Sequence, residues 1–118
     1  GNCMAFLQTM YEMGIDATEP LEPPPFGDVD LAEAKKQMHG KMLLSGNVAS
    51  QHFPTQRPEE TRDMVKKAID DAAAGGGFTL RTTGGRAGLA DNLNEEQRGN
   101  VIANIEAYIE TGLEYGVY

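Results

Sequence analysis

The sequence is poor in cysteine, tryptophan and basic residues, and these shortages exclude several classes of protein. It has one cysteine and no tryptophan, with 10 Lys plus Arg against 18 Asp plus Glu and a formal net charge of −8. A single cysteine cannot form an intrachain disulfide, which excludes a disulfide-stapled secreted scaffold and favours a reducing, cytoplasmic compartment. The acidic balance argues against nucleic acid or an anionic membrane as a partner. No apolar run approaches the ~20 residues of a membrane-spanning helix, so none is expected.

What is present is the composition of an ordinary globular domain. The chain has 118 residues, of which 40% are hydrophobic and 24% are charged. This length allows one domain, which we take to cover residues 1–118.

Turn and cap signals divide the chain into alternating helices and strands. Asp30 is placed to cap a helix that begins at Leu31, and the spacing of Asn94 and Gln97 predicts a capping box. Predicted helices cover 3–13, 31–38, the stretch from 58 to the glycines at 75–77, and the chain after 94; predicted strands cover 15–19, 41–45 and 78–81. This order predicts an α/β fold with parallel strands and right-handed crossovers. Three strands are few for a parallel sheet, which must be covered on both faces, so the pattern is typical of part of a larger fold.

The last predicted helix has the clearest amphipathic stripe of the chain. Such a stripe normally faces a core. It consists of Val101, Ile102, Ile105, Tyr108, Ile109 and Leu113.

Polar residues gather after each predicted strand, where ligands bind in α/β folds. A carboxylate there can hold a hydroxyl or a proton, and the loop 82–86 can bring backbone amides and a guanidinium to a carboxylate or phosphate. We therefore predict a small-molecule site at this rim. The candidate residues are Glu19, Glu22, Gly46, Asn47, Arg81, Thr83 and Arg86.

Each of these segments also has a purely structural interpretation. The pair Gly46-Asn47 is typical of a tight strand exit, the stretch 19–22 of a proline-stiffened solvated loop, and 82–86 of a flexible glycine loop. Cys3 stands near a predicted helix N-terminus, which can lower a thiol pKa, but a buried or incidental thiol fits the pattern better. No histidine stands at metal-ligand spacing from Cys3, so no metal site is predicted.

A series of short stretches in fixed order resembles the carboxyl-terminal part of the uroporphyrinogen decarboxylase superfamily, which includes the corrinoid-dependent methyltransferases. The resemblance covers nearly the whole chain, and no single motif carries it. The stretches are Gly14-Ile15-Asp16, Asp30-Leu31-Ala32-Glu33-Ala34-Lys35, Leu44-Ser45-Gly46-Asn47-Val48, Pro58-Glu59-Glu60, Gly75-Gly76-Gly77-Phe78-Thr79-Leu80, Asn92-Leu93 and Tyr115-Gly116.

The resemblance implies a (β/α)₈ barrel, a fold of about 250 residues. The chain would supply the last three βα units and one preceding helix. It implies a parent enzyme that is a lyase or methyltransferase acting on a carboxylated or methylated small molecule, such as a tetrapyrrole.

The resemblance assigns no catalytic residue to this chain. The decarboxylases place a histidine after the final strand, and the methyltransferases place a zinc-binding cysteine nearby. Both fall at or near Gly84, where this sequence has neither residue. We therefore expect no cofactor in this chain, with a corrinoid or zinc left open for the parent, and an isolated chain that is inactive.

The alternative function is a non-catalytic α/β module for binding or self-association. The two edge strands of a three-stranded parallel sheet have no neighbour on one side, with Leu43, Leu44, Phe78 and Leu80 close by. The partner predicted by this reasoning is a second copy of the chain, in a homodimer or higher oligomer.

Overall fold

Helices and strands alternate in the part of the chain that the computed structural model describes, residues 1–84 and 92–117. The helices are α1 (Leu7–Glu12), α2 (Leu31–Met38), α3 (Pro58–Ala72) and α4 (Glu95–Tyr115), with short 3₁₀ turns at Met4–Phe6 and Ser50–His52. The strands are β1 (Ala17–Thr18), β2 (Leu43–Ala49) and β3 (Phe78–Thr83). The predicted order of elements is confirmed.

Local capping fixes where two of the helices begin. Asp30 accepts a hydrogen bond from the backbone N–H of Glu33 at 3.1 Å at the start of α2. In α4, Asn94 and Gln97 each accept from the other's backbone N–H, at 2.8 and 3.0 Å. Both predicted caps are confirmed, because a cap depends on residues only three positions apart.

The three strands form one parallel sheet in the order β1-β2-β3. Pairing of β2 with β3 runs from Leu44 opposite Phe78 to Ala49 opposite Thr83. The prediction of an α/β fold with parallel strands is confirmed. The prediction that Gly46-Asn47 ends the second strand is wrong, since β2 continues through both residues to Ala49 and stays paired with β3.

The helices lie on one face of this sheet. The crossovers through α2 and then α3 both move the chain one strand in the same direction, and crossovers of the same hand place their helices on the same face. Leu44 of β2 points to that face and is completely buried. Its core cluster joins α1, α2 and α3 through Leu7, Leu31, Ala34, Met38, Ala68 and Ala72. Within the described residues no helix covers the opposite face, where Leu43 is 37% exposed.

A buried polar network joins α4 to α3 and to the loop after β2. The hydroxyl of Thr61 donates to Asn104 Oδ1 at 2.5 Å. Asn104 Nδ2 lies 3.0, 2.8 and 2.8 Å from the backbone carbonyls of Phe53, Gln56 and Asn100. Asn104 is completely buried, so one side chain connects two helices and a loop.

The stripe predicted for α4 is wrong for most of its members. Val101 is buried and Tyr108 is half-buried, but the other four residues are exposed. The helix instead turns Asn104, Ala107 and Thr111 inward. Asn104 can reach its carbonyl partners only from this side, which turns the aliphatic side of the helix away from α3.

Candidate functional site

The uncovered face of the sheet carries an ion pair between Glu19 and Arg81. Glu19 follows β1 and Arg81 lies in β3, so the pair spans the central strand. Both side chains are about half exposed, at 51% and 52%. They border a shallow groove of about 500 Å³ whose floor includes Ser45 and Thr79. The structure therefore brings two of the predicted site residues together.

Strand alternation explains why this face is polar. Successive side chains of a strand point to opposite faces. Leu44 and Leu80 pack in the core under the helices. Their neighbours Ser45, Thr79 and Arg81 therefore point to the uncovered face.

Thr83 lies in a second cluster, at the carboxyl end of β3. It is 1% exposed, and its carbonyl accepts a hydrogen bond from the hydroxyl of Ser50 at 2.6 Å. Among the described residues, Thr83 Oγ1 and Gln51 Oε1 are buried without a hydrogen-bond partner. Two polar atoms at the end of β2 and β3 thus keep unused hydrogen-bonding capacity.

Gly84 leaves the space that the Gln51 side chain occupies in this cluster. A Cβ atom at position 84 would lie 2.1 Å from Gln51 Cδ, and the φ angle of Gly84 is +93°. The positive φ favours glycine here, and a larger residue would also displace the end of the Gln51 side chain. Gly84 thus leaves room for the Gln51 amide.

Glu22 contacts the same glutamine. Gln51 Nε2 donates to Glu22 Oε1 at 3.3 Å. Glu22 therefore belongs to the Thr83 cluster through Gln51.

Gly46 and Asn47 do not join either group. Gly46 is buried against Leu21, and a Cβ atom on it would lie 3.1 Å from Leu21 Cβ. Asn47 lines a separate cleft of about 330 Å³ beside α3, together with Val29 and Met64. The candidate residues therefore lie in separate places and do not form one rim. The remaining candidate, Arg86, lies outside the described residues.

Three residues at these sites are absent from the sequence-based prediction: Ser45, Thr79 and Gln51. Ser45 and Thr79 could have been found from alternation, because each stands next to a leucine of the core. Gln51 carries no local signal, since its role depends on contacts with Glu22 and Gly84 that are distant in sequence.

Cys3 is a half-buried thiol and not an activated one. Burial, with the nearby Asp28 carboxylate, raises the pKa of the Cys3 thiol.

Over residues 1–84 and 92–117, no group of three or more His, Cys, Asp and Glu side chains is arranged to hold a metal ion. In the same ranges no helix has both the length and the apolarity to cross a bilayer.

Comparison with known proteins finds no match for the chain among protein-family models, curated proteins or solved structures.

Proposed function

We propose that this chain is the carboxyl-terminal section of a (β/α)₈ barrel of the uroporphyrinogen decarboxylase superfamily. In the complete protein it would form one wall of a small-molecule site, with Glu19 and Arg81 at the rim. The observation that supports this is a parallel sheet with helices on one face and a polar groove on the other.

The order of the strands favours a barrel over a doubly wound sheet. A doubly wound sheet reverses its direction at a switch point, which places helices on both faces. Here both crossovers move in one direction, and parallel sheets are covered on both faces in nearly all proteins. A barrel covers its inner face by closing the sheet on itself. The three strands would then need about five more, supplied by the rest of the parent.

The chemistry of the uncovered face suits a carboxylated ligand. The guanidinium of Arg81 can bind a carboxylate in a two-pronged manner, and its present partner Glu19 is exposed and easily displaced. We propose that the parent is a lyase or methyltransferase acting on a carboxylated or methylated small molecule. The isolated chain would be inactive, because Gly84 supplies no reactive side chain and the other walls are absent.

The ligand prediction can be tested on the isolated chain by NMR titration. We expect tricarballylate, a small tricarboxylate, to shift the amide signals of residues 17–19 and 79–83. Glycine betaine is titrated in the same way as the methylated probe. Arg81→Gln should weaken binding of tricarballylate by about fivefold or more, since a charge-assisted contact is lost. Arg57→Gln is the matched control, because Arg57 is exposed at the start of α3.

Two results would contradict the proposal. One is an Arg81→Gln variant that binds tricarballylate as well as the parent chain does. The other is a stop codon directly upstream of the reading frame, where a barrel of about 250 residues requires at least about 130 further residues that supply five βα units.

A second candidate function, self-association, is favoured by the same uncovered face. Leu43 is 37% exposed there, and β1 and β3 have no strand beyond them among the described residues. Phe78 and Leu80 are half-buried and Leu44 is fully buried, so Leu43 is the main apolar residue available. We expect light scattering at micromolar concentration to give the mass of a dimer or larger species. A well-folded monomer across that range would contradict this second function.

A further inference from the structure

Helix α4 has a row of aliphatic side chains that faces away from the other described residues of the chain. Ile102, Ile105, Ile109 and Leu113 are 60%, 42%, 51% and 75% exposed. Their spacings of three, four and four residues place them on one side of the helix, along about three turns. We refer to these four residues as the α4 row.

The α4 row does not belong to either core cluster formed by the described residues. The opposite side of the helix contacts α3 through Asn104, Ala107 and Thr111, which are small or polar. A helix in contact with water on its outer side normally carries polar residues there. A continuous aliphatic row in that position indicates a surface that binds another protein.

The charges beside the α4 row define what can bind it. Glu106, Glu110 and Glu114 follow one flank of the row, and α4 has a single basic residue, Arg98. Among the described residues, Arg62 of α3 lies 3.9 Å from Glu110, and Arg62 and Lys66 line a cleft that also includes Glu114. Glu106 is the glutamate of this flank that lies outside that cleft. A complementary surface therefore combines an apolar row with lysine or arginine.

A second copy of α4 does not meet this requirement. In an antiparallel pair of identical helices like flanks face each other, so Glu106 and Glu110 would lie against the same carboxylates. In a parallel pair no basic residue stands beside the glutamates, because Arg98 lies in line with the α4 row and about two turns before Glu106. The net charge of −8 adds repulsion between two copies.

We propose that the α4 row is a docking surface for an amphipathic helix of another protein, one with an aliphatic row flanked by lysine or arginine. The two helices would pack side by side, with the aliphatic rows in contact and the basic flank beside Glu106 and Glu110. This interaction uses neither the Glu19–Arg81 ion pair nor the groove of the uncovered face. In the proposed barrel the parent's first βα unit would lie beside α4, so docking of another protein requires that this unit leaves the α4 row uncovered.

The probe for this proposal is a designed helical peptide of about 20 residues with a leucine row and lysine flanks. Its matched control has the same leucine row and glutamate flanks. By fluorescence anisotropy, we expect the lysine peptide to bind at least about tenfold more tightly, with an advantage that shrinks as salt increases. Equal affinity for the two peptides, or no binding of either, would overturn the proposal.

Variants of α4 show whether the α4 row is the binding surface. The double variant Ile105→Ser/Ile109→Ser should weaken binding of the lysine peptide about tenfold or more, as expected for central contacts. Serine and isoleucine have similar helix propensities, so α4 should remain folded, which circular dichroism checks. Met13→Ser is the control, because Met13 is 74% exposed and lies at the end of α1.

A charge reversal gives a second, independent readout. Glu106→Lys/Glu110→Lys should transfer the preference from the lysine peptide to the glutamate peptide. Unchanged preference, or lysine-peptide binding that survives the two serine substitutions, would place the contact elsewhere and overturn the proposal. An oligomer that the serine substitutions dissociate would also overturn it, because the occupant would then be a second copy.

Discussion

Asn104→Ala should lower the free energy of unfolding by about 3–4 kcal/mol, since it leaves several buried groups without partners. The side chain is completely buried. Its Oδ1 accepts from the hydroxyl of Thr61, and its two N–H groups are shared among the carbonyls of Phe53, Gln56 and Asn100. Each buried group left unsatisfied costs about 1–3 kcal/mol. Urea denaturation of the two proteins measures the difference.

Asn100→Ala is the matched control for this experiment. Asn100 is half-buried on the same helix, and its side chain makes one hydrogen bond, to the carbonyl of Pro54 at 2.9 Å. We expect a loss of about 1 kcal/mol from this variant. A loss below that value for Asn104→Ala would show that the network contributes little to the packing of α4 on α3.

The sequence predicts the features of this fold that depend on neighbouring residues. Asp30 and the Asn94–Gln97 pair fix two helix starts, because a cap is formed within one turn. The end of β2 was not predictable in this way. Gly46-Asn47 resembles a strand exit locally, but pairing with β3 extends the strand to Ala49, and that partner lies more than 30 residues away.

Helix α4 shows a second limit of sequence patterns. The spacing of Ile102, Ile105 and Ile109 predicts correctly that one side of the helix is apolar. It does not identify the surface that covers this side. Asn104, which a periodicity argument treats as a polar outward residue, is the one that contacts α3 and the loop after β2.

The candidate site was predictable in its location but not in its grouping. Glu19 and Arg81 meet because both stand near the carboxyl ends of parallel strands, as the order of elements indicates. Asn47 lies opposite Arg81 in the paired strands, but it lines a cleft beside α3. The side to which a strand residue points depends on the local backbone of β2, which sequence patterns do not specify.

Leu44→Ala should destabilise the chain by about 3 kcal/mol, whereas Leu43→Ala should cost less than about 1 kcal/mol in dilute solution. The two leucines are neighbours in β2 and differ in the face to which they point. Leu44 is completely buried among the helices, and truncating it leaves a cavity in that core. Leu43 is 37% exposed on the uncovered face and loses few contacts. Thermal and urea unfolding of both variants measure this difference.

Thermal unfolding of the parent chain and of the Leu43 and Leu44 variants at increasing protein concentration tests whether the uncovered face self-associates. If a second copy covers that face, the melting temperature of the parent chain rises with concentration, because association stabilises the folded state by mass action. Leu43→Ala should then reduce the rise, while Leu44→Ala should lower the melting temperature at every concentration. A concentration-dependent melt that Leu43→Ala leaves unchanged would place the self-association at another surface. Equal losses from the two variants in dilute solution would contradict the assignment of the helices to one face of the sheet.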